Sequence, residues 1–70
     1  MLVSEVYLKA YNVDAGALIN IYTDQQDFIN HRMPIKSDRY EHLGFNYESL
    51  SVKQFEIVSD NLINVLIYTI

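Results

Sequence analysis

Apolar and polar side chains alternate with a period of two over residues 2–11, where Val6 and Leu8 share one face. Successive side chains of a β-strand point to opposite faces, and branched and aromatic residues favour strands. The pattern therefore predicts a strand over residues 2–11. Turn-forming residues occupy positions 12–16, and a second β-prone run follows at residues 17–22. The first third of the chain is predicted to be a β-hairpin.

A helix is predicted to follow this hairpin. Thr23 and Gln26 form a T-x-x-Q capping box, in which two side chains satisfy backbone amides at the start of a helix. Pro34 donates no backbone hydrogen bond and restricts the residue before it. The helix is therefore predicted to end by Met33.

The middle of the chain carries weaker signals. Ser37 is placed to cap one helical turn through residues 39–41, and Gly44 can provide a left-handed stop after it. A short helix and an irregular connection both remain open for this segment.

Residues 52–58 admit two interpretations. A capping box at residues 51–54, flanked by apolar residues in the positions of a hydrophobic staple, favours a helix. The β-branched residues of the segment and the turn formers at 59–61 instead fit a hairpin that joins strands over residues 52–58 and 62–69. The helix is the favoured interpretation, and the hairpin is the alternative.

The C-terminal segment, residues 63–70, contains no charge, glycine or proline and, apart from Asn64 and Thr69, is apolar on both alternating faces. Such a strand would recruit other chains from a sheet edge, so it is predicted to lie in the middle of the sheet or beneath a second subunit. Residues 18–23 resemble residues 62–65, but the match later loses strand register and is not interpreted as a repeat.

These elements predict one small α+β domain over residues 1–70, in the order β-β-α-α-β, with helices packed on one face of a small antiparallel sheet. The alternative is two β-hairpins around one helix. The predicted core consists of Leu2, Val6, Leu8, Ile19, Ile21, Phe28, Ile29, Leu43, Phe55, Val58, Leu62, Val65, Leu66 and Ile67.

Composition restricts the class of protein further. A chain of 70 residues and 8.2 kDa forms a single domain. It contains no cysteine, so neither disulfides nor thiolate-metal sites reinforce it, and a homodimer is the expected reinforcement. The N-terminal residues lack the charged and apolar regions of a signal peptide, and no apolar stretch is long enough to span a membrane. A cytoplasmic location is expected.

The charge distribution favours a protein partner over a nucleic acid. The net charge is −4, which opposes non-specific binding to phosphates. Acidic residues dominate both ends of the chain, whereas residues 31–42 are basic. The net charge therefore opposes direct nucleic-acid binding. Such binding remains the alternative function only through Arg32, Lys36 and Arg39.

No pattern in the sequence predicts an enzyme or a cofactor. His31 and His42 lack the short paired spacing of zinc ligands, and no base and orienting group accompany a nucleophile. The chain has two glycines, Gly16 and Gly44, which are too far apart to form a phosphate-binding loop. We expect a non-enzymatic protein without cofactor or metal.

The six tyrosines are the most suggestive feature. Tyrosine is enriched at protein interfaces because it offers a large contact area with a polar tip. If the apolar face of the first strand packs on the core, its tyrosines lie on the other face. The predicted protein-interface residues are Tyr7, Tyr11, Tyr22, Tyr68 and Ile67.

The leading hypothesis is a small acidic protein-binding module that modulates or inhibits a host protein, with a phage or mobile-element origin and mimicry of nucleic acid as sharper versions. A basic or nucleic-acid-binding protein is the expected partner. A small dimeric nucleic-acid-associated regulator that uses the basic segment is one alternative. A structural subunit that assembles through its C-terminal strand is the other.

Overall fold

The computed structural model describes residues 1–9 and 16–68. Four strands form one sheet: β1 (Leu18–Tyr22), β2 (Lys36–Arg39), β3 (Val52–Ser59) and β4 (Leu62–Ile67). Four helices accompany them: α1 (Val3–Lys9), α2 (Gln25–Asn30), α3 (Tyr40–Leu43) and α4 (Phe45–Glu48). The α+β class with helices packed on the sheet is confirmed.

The sheet has the order β2-β1-β4-β3. β1 pairs antiparallel with β2, and β3 pairs antiparallel with β4, but β1 and β4 run parallel. The sheet is therefore mixed, where the sequence predicted antiparallel pairing throughout. The parallel pair arises because the chain between β1 and β4 passes through the outer strands and returns to the same end of the sheet.

The two faces of the sheet carry different helices, where the sequence predicted helices on one face. The larger core cluster joins Val3 and Val6 of α1 and Leu43 of α3 to Ile21 and Val65 of the central strands. On the opposite face, Phe28 of α2 packs on Tyr22 and Leu66. The alternation of side chains along β1 and β4 separates the two clusters.

The first predicted strand is wrong, because residues 3–9 form helix α1. Val3 and Val6 are both fully buried, and they lie on one face only with helical spacing, since a strand would point them to opposite faces. The Leu2 backbone N–H donates to Oε1 of Glu5 at 2.9 Å, which satisfies an amide at the start of the helix. The predicted turn at residues 12–16 lies largely outside the described residues.

Helix α2 confirms the predicted helix but starts one residue later than the capping box. Asp24 is the N-cap, and its Oδ1 accepts from the backbone N–H of Asp27 at 3.0 Å. His31 ends the helix in the left-handed conformation, and its N–H and that of the next residue donate to carbonyls of the last turn. The helix thus ends before Met33, as predicted.

The short helical turn of the middle segment exists as α3, and Gly44 follows it. The φ of Gly44 is positive at 83°, but its ψ of 162° lies outside the left-handed conformation that the sequence predicted. Ser37 does not cap this helix. It lies in β2, and its Oγ donates to Oδ1 of Asn20 in β1.

The favoured helix over residues 52–58 is wrong, and the alternative hairpin is correct. β3 and β4 pair along their length, with Val52 opposite Ile67 and Ile57 opposite Ile63. A capping box contributes only about 1 kcal/mol locally, so pairing with the apolar β4 decides the conformation. β4 itself lies between β1 and β3, which confirms its predicted place in the middle of the sheet.

The similar segments of β1 and β4 lie side by side in register. Leu18 is opposite Leu62, Ile19 opposite Ile63, and Asn20 opposite Asn64. The Nδ2 of Asn20 donates to Oδ1 of Asn64 at 3.0 Å, so the two asparagines satisfy each other within the sheet. Identical side chains in adjacent parallel strands thus build both the apolar core and one polar link.

Most of the predicted core is buried. The exceptions are half-buried Leu62 and the exposed Leu2, Leu8, Ile29, Phe55 and Val58. Residues that the sequence analysis omitted and that are buried are Val3, Ala17, Tyr22, Val52 and Ile63. The omission of Val3 follows from the wrong assignment of the first segment. Tyr22 and Ile63 lie in β1 and β4, which are covered on both faces of the sheet.

Candidate protein-binding surface

The described tyrosines do not form the common face that the sequence predicted. Tyr7 lies on α1, where its ring stacks on Tyr40 with centroids 4.0 Å apart and planes 4° apart. Tyr22 and Ile67 are buried within the chain, so neither offers surface to a partner. Tyr68 is exposed at the end of β4. Tyr11 lies outside the described residues.

The surroundings of two tyrosines raise the pKa of their hydroxyls. Burial, and secondarily the charge of Asp27, raises the pKa of Tyr22 above its ordinary value. Burial, followed by the charge of Glu48 and the neighbouring Tyr7, raises the pKa of Tyr40. Both phenols are therefore neutral at physiological pH and act as packing groups.

The three basic residues of the nucleic-acid alternative do not converge. Lys36 lies on the α4 side of β2, with its Nζ 5.5 Å from the centroid of the Tyr47 ring. Arg39 lies on the other face of the same strand, because it is three positions away, and its guanidinium is 3.9 Å from Glu41. Arg32 lies in the connection that follows α2. The structure therefore shows no single basic groove formed by these residues.

Acidic side chains also lie beside the two histidines of the basic segment. His31 Nε2 is 3.0 Å from Oε1 of Glu56, and His42 Nδ1 is 3.6 Å from Oδ1 of Asp38. Exposed pairs of this kind contribute little to stability. Their consequence is electrostatic, since each acidic partner reduces the positive potential of the segment.

A groove of about 280 Å³ lies where β1 and β4 end. Leu66 and Ile67 contribute apolar lining to this groove. Two of the residues that the sequence predicted to form a protein interface, Ile67 and Tyr68, line it. The polar lining residues are Thr23, Gln25, Lys53 and Tyr68.

A second, smaller hollow lies beside α4 and the start of α1. It has a volume of about 110 Å³ and is lined by Leu2, Ser4, Phe45, Glu48 and Ser49. Phe45 is 79% exposed, although its ring is large and apolar. We call Leu2, Phe45 and Glu48 the Phe45 surface: an apolar patch with a carboxylate at its side.

Local backbone structure holds Phe45 in this position. Gly44 separates α3 from α4 with φ 83° and ψ 162°, a conformation that L side chains rarely adopt. The carbonyl of Phe45 then accepts from Oγ of Ser49 at 2.8 Å, which ties the ends of α4 together. The sequence analysis did not select Phe45. The signal that could have found it is a lone glycine directly before an aromatic residue outside any apolar periodicity.

Replacing Gly44 with Ala is expected to lower the free energy of unfolding by about 1–3 kcal/mol. No atom lies within 4 Å of an added Cβ, so the cost is backbone strain and not a clash. Gly16→Ala is the matched control, because among residues 1–9 and 16–68 its added Cβ meets Cδ of Arg39 at 3.9 Å, an ordinary contact. Chemical denaturation of both variants measures the difference. Equal losses would show that the conformation of Gly44 is not what makes glycine necessary.

The described residues contain no group of side chains that could hold a metal ion. Within residues 1–9 and 16–68, no three histidine, aspartate or glutamate side chains gather to hold a metal ion. In the same part of the chain, no helix combines the length and the apolar character needed to cross a membrane.

The fold and the surfaces define the chain as a small α+β domain with exposed apolar patches. Comparison with protein-family models, with curated proteins and with solved structures finds no match to it. No function can therefore be carried over from a similar protein, and the geometry of the chain itself indicates what it binds.

Proposed function

We propose that this protein is a small acidic, non-enzymatic binding module that acts by occupying the surface of another protein. The observation that carries the proposal is Phe45, an aromatic side chain that is 79% exposed beside a hollow. Aromatic anchors dominate the binding energy of many protein interfaces. A large apolar group held in water directly after a glycine whose conformation other residues rarely adopt indicates a contact surface.

The chemistry of the Phe45 surface indicates the kind of partner. Leu2 and Phe45 offer apolar contact, and Glu48 offers a carboxylate at the same hollow. Glu5 lies next to Leu2 and accepts its N–H, so a second carboxylate lies near. A partner that presents an apolar side chain next to a lysine or arginine would match both features. The net charge of −4 favours approach to such a basic surface.

An affinity experiment tests this proposal with matched variants. A cell lysate is passed over three baits: the wild-type chain, Phe45→Ser and Met33→Ser. Captured proteins are identified, and their dissociation constants for each bait are measured with purified components. Met33 is the control because it is 81% exposed but lies in the α2–β2 connection, away from the Phe45 surface. We expect a basic partner whose dissociation constant rises about tenfold or more for Phe45→Ser and is unchanged for Met33→Ser.

Salt provides the second readout. Partner binding should weaken as salt concentration rises, and Glu48→Gln should reduce that dependence. Partners that bind all three baits equally, or that show no dependence on salt, would contradict the proposal.

A further inference from the structure

The two outer strands of the sheet differ in length and in the side chains that they expose to solvent. β2 has four residues, all polar or charged, and short charged edges resist pairing with other chains. β3 has eight residues and exposes Phe55, Ile57 and Val58. A long edge strand with exposed apolar side chains is a template for another strand.

Within the part of the chain that the structure describes, backbone contacts cover the start of β3 on the side that faces away from β4. There the Val52 N–H donates to the Met1 carbonyl at 2.6 Å, and Leu2 forms a bridge with Ser51. Along the rest of β3, no strand among the described residues pairs with this side. We call this side of residues 53–59 the β3 edge.

We propose that the β3 edge pairs antiparallel with the β3 edge of a second copy of this chain, about a two-fold axis at Phe55. The pairing joins two four-stranded sheets into one continuous sheet. The β3 edge shares no residue with the Phe45 surface, which consists of Leu2 and two residues of α4, and the pairing therefore goes beyond the proposed function.

The faces of β3 restrict the possible registers. Phe55 and Ile57 are opposite buried Val65 and Ile63 of β4, so they lie on the face of the larger core, whereas Gln54 and Glu56 lie on the other face. Residues that oppose each other across antiparallel strands point to the same face. In a two-fold pairing, residues of like face must therefore oppose each other, so the axis passes through a residue and not between two.

The regular part of β3 selects among these axes. Register shifts against β4 lie between Val52 and Gln54 and between Ile57 and Ser59, which leaves residues 54–57 as the undistorted stretch. An axis at Gln54 or at Ile57 would carry the new pairing past one of these shifts. The axis therefore lies at Phe55 or at Glu56.

Charge then decides between Phe55 and Glu56. An axis at Glu56 places two carboxylates directly opposite each other, which destabilises a strand pair. An axis at Phe55 pairs the two phenylalanine rings and sets Gln54 against Glu56 of the second copy, an amide against a carboxylate. Aromatic pairs across strands are favourable, and the amide can donate to the carboxylate. The Phe55 axis satisfies both faces at once.

Opposite charge changes at Gln54 test the register. With the axis at Phe55, the lysine of Gln54→Lys lies opposite Glu56 of the second copy, so each dimer gains two pairs of opposite charge. Gln54→Glu instead creates two pairs of like charge in each dimer. Sedimentation equilibrium at low salt should show a wild-type dimer, a dissociation constant about 2- to 30-fold lower for Gln54→Lys, and a higher one for Gln54→Glu. Gln54 is exposed, so both variants should keep the wild-type circular dichroism spectrum.

Single cysteines test the axis directly, because the chain has none of its own. Under mild oxidation Phe55→Cys should form a disulfide-linked dimer, since residues opposite each other on the axis lie within disulfide range. Ile57→Cys is the control on the same face, because two residues at this position are too far apart along the strands to react.

Three results would overturn the proposal: a monomer at every concentration, a dimer that responds equally to both changes at Gln54, or disulfide formation at Ile57→Cys in preference to Phe55→Cys. Phe45→Ser should leave the dimer unchanged, so failure here and failure of the proposed function are separate results.

Discussion

Replacing Ile63 with Ala is expected to lower the free energy of unfolding by about 2–5 kcal/mol. Ile63 is fully buried in β4, in the middle of the sheet, and belongs to the larger core cluster. The loss combines the transfer of removed methyl groups to water with the cavity that remains. A domain of 70 residues has a total stability of about 4–10 kcal/mol, so the variant is expected to be largely unfolded at moderate temperature or denaturant concentration.

Ile57→Ala is the matched control for this change. Ile57 is the cross-strand neighbour of Ile63 in β3, but it is 45% exposed. The same atoms are removed from the same kind of strand, so the comparison isolates burial. We expect a loss below about 1 kcal/mol, which reflects mainly strand propensity. Denaturant titration of both variants at equal protein concentration measures the difference, and similar losses would contradict the burial of Ile63.

Asn64→Asp is expected to destabilise the protein by about 3–5 kcal/mol at neutral pH. Asn64 is a buried polar residue of β4, where its Oδ1 accepts from Nδ2 of Asn20 at 3.0 Å. An aspartate keeps this acceptor but brings a charge into the sheet without a cation beside it. The opposite residue in β3 is Glu56, another carboxylate, which adds repulsion.

The loss at Asn64→Asp should depend on pH in a defined direction. Burial raises the pKa of the introduced carboxyl in the folded state above its unfolded value of about 3.9. The unfolded chain then releases the proton first as pH rises, so stability falls by up to about 1.4 kcal/mol per pH unit above pH ~4. The stability of the variant stops falling once the pH exceeds the pKa of the introduced carboxyl in the folded state. Below pH ~4 the variant should approach the wild-type protein.

Asn61→Asp provides the control for the added charge. Asn61 is exposed in the β3–β4 turn, and its Oδ1 accepts from Oγ of Ser59 at 2.7 Å, an interaction that aspartate retains. We expect a change within about 0.5 kcal/mol and little added dependence on pH. Stability measured across acidic and neutral pH distinguishes the two variants. A loss at Asn64→Asp that does not vary with pH would exclude a buried charge as its cause.

The sequence predicted a protein-binding function but none of the three residues of the Phe45 surface as an interface residue. The acidic balance and the absence of a catalytic or metal-ligand pattern led to a protein-binding hypothesis, and Tyr68 was selected and is exposed at a groove. Phe45 was not selected, because a single aromatic residue between a glycine and polar neighbours carries no periodic signal. Its exposure depends on how α4 is placed on the sheet.

The assignment of β3 shows where local sequence signals fail. Its capping box is genuine as a pattern, but a cap acts within one turn and contributes about 1 kcal/mol. The pairing of Val52 and Ile57 with β4 involves residues distant in sequence. Only assembly of the sheet brings those partners together.

The sequence by itself determined the features whose signals are local or composition-wide: the α+β class, the helix before Pro34, and an apolar C-terminal strand that has to be covered. Tertiary structure alone decided the rest. It turned residues 3–9 into a helix, because Val3 and Val6 bury together only with helical spacing, and it aligned Asn20 with Asn64 in parallel strands. Burial and strand pairing arise between residues far apart in the chain, so no short pattern specifies them.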